Sequence, residues 1–170
     1  MKKIFLTFFT FLSFVLGQSA KVYWVDVHNG NDSNNGLTSS SAFKTIQYVF
    51  NNTSSLFTSY VDTIKVLPSI TSSNPNGYYD FGDNEINVNS SRNFVMIGTA
   101  GADSTIFNAE EKNRHFQISS SQDQSTIIEG IKFVNGKRDY AGGSFYLSNS
   151  KITFKNCIFD YNGHKPGIGN

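Results

Sequence analysis

TIIEGIKFVNG (residues 126–136) occurs a second time, in altered form, as ITFKNCIFDYNG (residues 152–163), at an offset of 26 residues. Within each copy, residues of one parity point inward, a tight bend interrupts them, and the alternation resumes. This pattern predicts two short strands joined by a bend. The offset aligns Thr126 with Ile152, Ile128 with Phe154, Glu129 with Lys155, Gly130 with Asn156, Ile131 with Cys157 and Phe133 with Phe159.

An earlier copy of the pattern, NFVMIGTAGADSTIF (residues 93–107), places Gly98 32 residues before Gly130. Strands this short cannot bury an apolar face alone, so the repeats must stack on one another. Equivalent strands of neighbouring repeats then pair in parallel, about 4.8 Å apart. The repeats therefore predict an all-β solenoid of about three to four coils. The bends at Gly98, Gly130 and Asn156 are expected to be structural turns, although a turn Asn is also a candidate ligand.

The first 20 residues have the pattern of a signal peptide. Two lysines follow Met1, and residues 4–16 form an apolar run with five Phe. A buried core helix is the alternative, but the terminal position and the paired lysines favour a leader. The run is too short to span a bilayer comfortably, and it has no Cys for lipid attachment. Cleavage is expected after Gly17 or Ser19, which makes the mature chain an exported protein without a membrane span.

Residues 21–60 combine a strand, a loop and a helix. KVYWVDVHN (residues 21–29) alternates as a strand does, and an Asn- and Gly-rich loop follows over residues 30–41. The spacing of Phe43, Ile46, Val49 and Phe50 then predicts a helix, with Ser40 or Ser41 as its N-cap. We expect this helix to plug the N-terminal end of the solenoid, whose coils occupy residues 61–170. Further strands are predicted at residues 63–67, 93–98, 105–107, 115–119 and 143–147.

Two regions carry a resemblance to a known family. YWVDVHNGNDSNNGLTSSSAFKTIQ (residues 23–47) has a strand, a G-x-D-x-x-x-G loop and a helix that opens with F-K-T-I. IIEGIKFVNG, GGSFYL and FKNCIFDYN have the form of coil repeats. Together they resemble the right-handed parallel β-helix proteins of the pectin-lyase-like superfamily, although Ala42 stands where members commonly have Pro. The resemblance implies a right-handed parallel β-helix with an N-terminal capping helix, in a family that contains lyases, hydrolases, adhesins and noncatalytic surface proteins.

Composition excludes some functions and leaves others open. The formal net charge is +1 with few charged residues in total, which argues against a nucleic-acid partner. Cys157 is the only cysteine, so no internal disulfide can form. Its place in a strand pattern favours a small buried hydrophobic residue over a reactive thiol.

Catalysis within these 170 residues is not expected. Hydrolysis of a glycosidic bond needs two carboxyl groups within about 5 to 9.5 Å. At the offset of 26, however, Asp160 falls beside Val134 and Asp139 beside Lys165. The resemblance to lyases implies calcium-binding acids beside a basic residue, and no arginine of this chain lies among clustered acids. The alternative is that the chain is the N-terminal part of a polysaccharide lyase or glycoside hydrolase whose catalytic coils lie beyond residue 170.

Two loops in matching turns form the candidate glycan-binding patch. GKRDYAGG (residues 136–143) and GHKPGIG (residues 163–169) would bring together basic and aromatic side chains, which could bind an acidic or neutral polysaccharide. A solvated loop edge is the alternative. The patch consists of Lys137, Arg138, Tyr140, His164 and Lys165.

A calcium site is a weaker candidate, at Asp26, Asn31, Asp32 and Asn35. This loop lacks the regular spacing of a calcium-binding loop, so its Asn and Asp are expected to serve as turn formers. No other cofactor is expected.

The repeat pattern calls for another strand after residue 170. A solenoid that stops in mid-coil exposes its core and its strand edges, and solenoids of this kind are usually capped. We therefore expect the chain to be the N-terminal part of a longer protein, or an intermolecular partner to cover the open end. The expected function is that of an exported, noncatalytic surface or matrix protein that presents loops to carbohydrate or cell surfaces.

Overall fold

The computed structural model describes residues 19–81, 83–120, 122–139 and 142–164, with the backbone alone at His164. The predicted signal peptide therefore lies almost wholly outside the described residues, as do Tyr140 and Lys165 of the candidate patch. Within the described ranges, neither helix is long and apolar enough to cross a membrane.

Fourteen short strands and few helices make up the described chain. The N-terminal region contains β1 (Val22–Val25), a 3-10 helix (Ser39–Ser41), α1 (Ile46–Asn51) and α2 (Thr53–Leu56). The first coil contains β2 (Asp62–Val66), β3 (Tyr79–Asp80) and β4 (Ile86–Val88), and the second contains β5 (Phe94–Gly98), β6 (Ile106–Asn108) and β7 (Phe116–Ile118). The third contains β8 (Ile127–Glu129), β9 (Lys132–Val134), β10 (Lys137–Arg138) and β11 (Phe145–Leu147). The chain then enters β12 (Thr153–Lys155), β13 (Ile158–Asp160) and β14 (Gly163–His164).

All the paired strands run parallel and form four sheets. Sheet 1 has the order β1-β2-β5-β8-β12, sheet 2 the order β3-β6-β9-β13, sheet 3 the order β4-β7-β11, and sheet 4 pairs β10 with β14. The registers confirm both repeat offsets, since Phe159 pairs with Phe133 and Met96 pairs with Ile128. The protein is an all-β parallel solenoid of about three turns.

Inward side chains stack in continuous columns, one from each coil. The columns are Tyr23–Ile64–Met96–Ile128–Phe154 in sheet 1, Tyr79–Phe107–Phe133–Phe159 in sheet 2, and Ile86–Phe116–Phe145 in sheet 3. Each short strand contributes only one or two such residues. Its apolar surface is therefore removed from water only by packing against the coils above and below.

The bend between sheets 1 and 2 explains the Gly and Asn residues in the repeat. Gly130 has a φ of 66° and Asn156 a φ of 50°, a left-handed conformation that these residue types tolerate. A Cβ atom on Gly98 would lie 2.1 Å from the carbonyl oxygen of Gly130 in the next coil. In that next bend, Asn156 Nδ2 donates to Glu129 Oε1 at 3.5 Å. The bend therefore requires small or Asn side chains where neighbouring coils come closest.

The N-terminal helix starts later than the sequence predicts, and a second short helix, α2, follows it. Ser41 belongs to the 3-10 helix, and Phe43 forms an isolated parallel bridge with Val25, so the predicted N-cap at Ser40 or Ser41 was wrong. Asp32 Oδ1 accepts hydrogen bonds from the backbone N–H groups of residues 44 and 45, which keeps this segment extended. The helix begins after Thr45, whose Oγ1 accepts from Tyr48 N at 3.2 Å.

Helix α1 packs against β4, the terminal strand of sheet 3. Ile46, Val49 and Phe50 are buried in the common core. The Gln47 carboxamide forms the two backbone hydrogen bonds that a neighbouring strand would form. Its Oε1 accepts from Asn87 N at 2.8 Å, and its Nε2 donates to Asn87 O at 3.2 Å. The helix therefore covers apolar surface and also satisfies backbone groups of an edge strand.

Candidate carbohydrate-binding surface

The predicted patch lies where β10 pairs with β14. Lys137 aligns with Gly163 and Arg138 with His164, at the offset of 26 that the repeat predicts. The structure thus places residues 137–138 and 163–164 beside each other on neighbouring coils. Side chains are described for Lys137 and Arg138 only, so the positions of the Tyr140, His164 and Lys165 side chains remain predictions.

Lys137 does not present an isolated positive charge. Its Nζ lies 2.6 Å from Glu111 Oε2, in the turn that precedes β7 on the previous coil. The pair is partly exposed, so it contributes little to stability but neutralises the lysine locally. Of the patch residues whose side chains the structure describes, this leaves Arg138 as the source of positive charge at this edge.

Arg138 belongs to a charged group that spans three coils. Glu85 Oε2 lies 2.7 Å from Arg114 Nε, and these two side chains are only 10% and 8% exposed. Neither of these two atoms has a hydrogen bond to another described group, so the ion pair is their compensation for burial. Arg138, with a 39% exposed side chain, lies 4.0 Å from Glu85 Oε1. One carboxylate thus stands between two guanidinium groups.

Tyr146 completes this group, and sequence reasoning missed it. The Arg114 guanidinium carbon lies 5.0 Å from the Tyr146 ring centroid, and Tyr146 is 38% exposed. Its outward position could have been inferred from GSFYL, because Phe145 points inward and the next residue must point outward. Glu85, Arg114, Arg138 and Tyr146 are called the arginine–tyrosine cluster below.

His115, next to Arg114, fixes the segment before β7 from inside the solenoid. Its Nε2 lies 3.0 Å from the carbonyl oxygens of both Phe107 and Val134, and its Nδ1 lies 2.9 Å from Ser144 Oγ. Burial lowers the pKa of His115 to about 4, while the two carbonyl contacts act in the opposite direction. The neutral ring therefore links the second and third coils and positions residues close to the cluster.

The Asn/Asp loop uses its side-chain oxygens for turn hydrogen bonds. Asp26 Oδ1 accepts from His28 N at 2.8 Å, and Asn31 Oδ1 accepts from Ser33 N at 2.9 Å. Asn35 Oδ1 likewise accepts from Leu37 N at 3.0 Å. Across the described part of the chain, no group of three or more His, Cys, Asp or Glu is placed to hold a metal ion.

Cys157 is half-buried and packs against the core. Its Sγ donates to the carbonyl oxygen of Ile128 at 3.4 Å. Burial raises the pKa of the Cys157 thiol, which disfavours the thiolate form that a nucleophile needs. The thiol therefore serves packing, although it is less buried than a core residue of the middle coils.

Comparisons with protein-family models, with curated proteins and with solved structures found no significant match to this chain. The strand pairing shows the parallel β-solenoid architecture by itself.

Proposed function

We propose that the protein is an exported, noncatalytic surface or matrix protein that binds polysaccharide on a right-handed β-helix of the pectin-lyase-like type. The observation that carries the proposal is the arginine–tyrosine cluster, in which a partly exposed tyrosine rests on a buried arginine beside an exposed one. Export rests on the leader-like residues 1–20.

The cluster combines two chemical groups that suit an acidic sugar. The Tyr146 ring offers an apolar face for the C–H side of a pyranose, with a hydroxyl at its edge. The contact of Arg138 with Glu85, at 4.0 Å, is longer than a hydrogen bond, so its guanidinium can turn to a uronate carboxylate. Arginine binds carboxylates through two parallel hydrogen bonds. The ligand class that fits this edge is a uronate-containing polysaccharide.

The buried ion pair of Glu85 and Arg114 positions the Tyr146 ring and is not expected to contact the ligand. Because Glu85 holds Arg114 and Arg114 lies against Tyr146, the ring is held before any ligand arrives. Such preorganisation lowers the entropic cost of binding. We therefore expect Tyr146 and Arg138 to contact the ligand, and Glu85 and Arg114 to position Tyr146.

Binding to polygalacturonate tests the proposal, with dextran as a neutral comparison. Tyr146→Ala and Arg138→Gln are each expected to weaken polygalacturonate binding about ten-fold or more. Tyr60→Ala, which removes an exposed ring in the turn before β2, is the matched control and should bind as the wild type does. Equal binding by both cluster variants and the wild type would contradict the proposal.

Export has a separate test. The protein recovered from the medium should have its N-terminus at Gln18 or Ala20, the residues that follow the two expected cleavage positions. A protein that stays in the cell with Met1 intact would show that residues 1–20 are not a cleaved leader.

A further inference from the structure

A concave surface lies on the outer face of sheet 2, and none of its lining residues belongs to the arginine–tyrosine cluster. The loop over residues 70–78 forms one side of this groove, which has a volume of about 330 Å³. Its lining includes two aromatic rings, three carboxamides and one lysine: Tyr78, Tyr161, Asn76, Asn108, Asn135 and Lys132. We call it the tyrosine groove.

Tyr161 occupies an unusual backbone position for an aromatic residue. It follows β13 where Asn135 follows β9, and both have left-handed φ angles, 53° for Tyr161 and 57° for Asn135. Asn tolerates this conformation, whereas a bulky side chain with positive φ is a rare outlier. Asn135 also donates from Nδ2 to Asn108 Oδ1 at 3.0 Å, so an Asn at residue 161 would suit the stack better. The chain instead has a tyrosine there that is 79% exposed.

The next residue anchors the strained turn to the previous coil. Asn162 Oδ1 accepts from Gly136 N at 2.7 Å, and Asn162 Nδ2 donates to the carbonyl oxygen of Phe133 at 2.8 Å. These bonds hold the Tyr161 backbone in the unfavourable conformation. The surrounding contacts maintain this strain, and the strained residue presents an exposed ring to the groove. Both features point to a binding role for Tyr161.

Tyr78, which also lines the groove, is held through its hydroxyl group. It donates to Glu110 Oε1 at 2.5 Å, and the other oxygen of Glu110 lies 2.7 Å from Lys112 Nζ. The Tyr78 ring is therefore fixed before ligand binding, and fixed aromatic rings bind at low entropic cost.

The charges of the groove select a neutral ligand. Among the described residues that line it, Lys132 is the only charged one, and its Nζ lies 3.2 Å from Asp160 Oδ2. The remaining polar groups are carboxamides and tyrosine hydroxyls, which can exchange hydrogen bonds with sugar hydroxyls as donors and as acceptors. We propose that the tyrosine groove binds a neutral hexose polysaccharide chain, at a site separate from the arginine–tyrosine cluster and with a different ligand class.

Titration calorimetry of the full chain with cellohexaose and mannohexaose tests this inference. The wild type is expected to bind at least one of the two, and Tyr161→Asn is expected to weaken that binding about ten-fold or more. Asn suits the left-handed turn, so this variant should unfold at a higher temperature than the wild type. A loss of binding would then reflect the missing ring and not a damaged fold.

Tyr146→Ala separates the two sites. This variant should bind the neutral hexaose as the wild type does, whatever its effect on polygalacturonate binding. The inference is overturned if neither hexaose binds the wild type, if Tyr161→Asn binds as tightly as the wild type, or if Tyr146→Ala abolishes hexaose binding. Failure of polygalacturonate to bind, with hexaose binding intact, would remove only the function proposed for the cluster.

Discussion

Phe133 and Phe159 occupy the same inward column of sheet 2, yet they lie in opposite environments. The ring of Phe133 lies 5.4 Å from that of Phe107 on one side and 5.2 Å from that of Phe159 on the other. Phe133 is completely buried, whereas Phe159 is 47% exposed. Equal register and nearly equal ring spacing therefore do not give equal stabilisation, because the hydrophobic contribution follows the area removed from water.

The same contrast divides the polar groups. Arg114 and His115, in the second coil, are buried and held by other protein groups. Tyr146 and Tyr161, in later parts of the chain, expose their rings. The earlier coils thus provide buried support at Arg114 and His115, and the later ones provide the exposed rings of Tyr146 and Tyr161.

The largest expected effect is the difference in unfolding free energy between variants that truncate Phe133 and Phe159. Phe133→Ala removes a ring packed among other buried rings and should lower the free energy of unfolding by about 3–5 kcal/mol. Phe159→Ala should cost about 1 kcal/mol, because much of its ring remains in water. Urea denaturation measures both values.

If Phe133→Ala does not fold, Phe133→Leu keeps the comparison measurable, with an expected cost of roughly 1–2 kcal/mol. Equal losses in the two alanine variants would show that burial in this column does not determine its stability.

The buried ion pair gives the next largest effect. Glu85→Gln leaves the Arg114 charge buried without its carboxylate, so we expect a loss of about 3 kcal/mol. The double variant Glu85→Leu with Arg114→Met removes both charges and should lose much less. Asp83→Asn is the control: its carboxylate is 87% exposed and 3.8 Å from Lys112 Nζ, so less than about 0.5 kcal/mol is expected. A double variant less stable than Glu85→Gln would contradict the burial argument.

Acid should destabilise the fold through His115. Its pKa of about 4 in the folded protein lies below the value of 6.5 in an unfolded chain, so the unfolded state binds more protons between these pH values. The contribution of the neutral His115 ring to the free energy of unfolding is complete above pH 6.5. It falls by about 3 kcal/mol as the pH drops to 4. Chemical denaturation across this range measures the slope.

His115→Gln separates this slope from the titration of carboxylates. The variant is expected to be less stable at neutral pH, yet to lose stability less steeply between pH 6.5 and pH 4. Two aromatic rings, of Phe81 and Phe133, face His115, together with the Ser144 hydroxyl, and Arg114 precedes it in the chain. If the wild type and the variant show the same slope, His115 is not the group that titrates.

The repeat made the coil architecture predictable, because its apolar spacing fixes which residues stack. The offsets of 26 and 32 correspond to the observed registers of β8, β9, β12 and β13. The strands β3, β4, β10 and β14 were missed because runs of two or three residues are too short to show a clear period. The helix start was missed because Asp32, 12 residues before Lys44, satisfies the backbone there, and such a contact leaves no periodic signal.

The binding surfaces were less predictable than the coils. In the structure, Lys137 and Arg138 pair with residues 163–164, and no sequence pattern indicated that Glu111 neutralises Lys137. Contacts such as that of Glu85 with Arg114 join coils through turns of unequal length, where the repeat offset no longer applies. Tyr161 was overlooked because the feature that distinguishes it is a positive φ angle, which a sequence pattern does not reveal.

The smallest expected effect concerns that angle. Tyr161→Asn should raise the free energy of unfolding by up to about 1 kcal/mol, because Asn adopts a positive φ at less cost and can extend the stack of Asn108 and Asn135. Urea denaturation of the variant beside the wild type measures the gain. An unchanged or lower stability would mean that the turn carries no strain, and the structural reason for assigning a binding role to Tyr161 would fall with it. A gain in stability would show that the fold alone does not favour a tyrosine at residue 161. The same coil carries Phe159, which is the most exposed inward ring of the sheet 2 column.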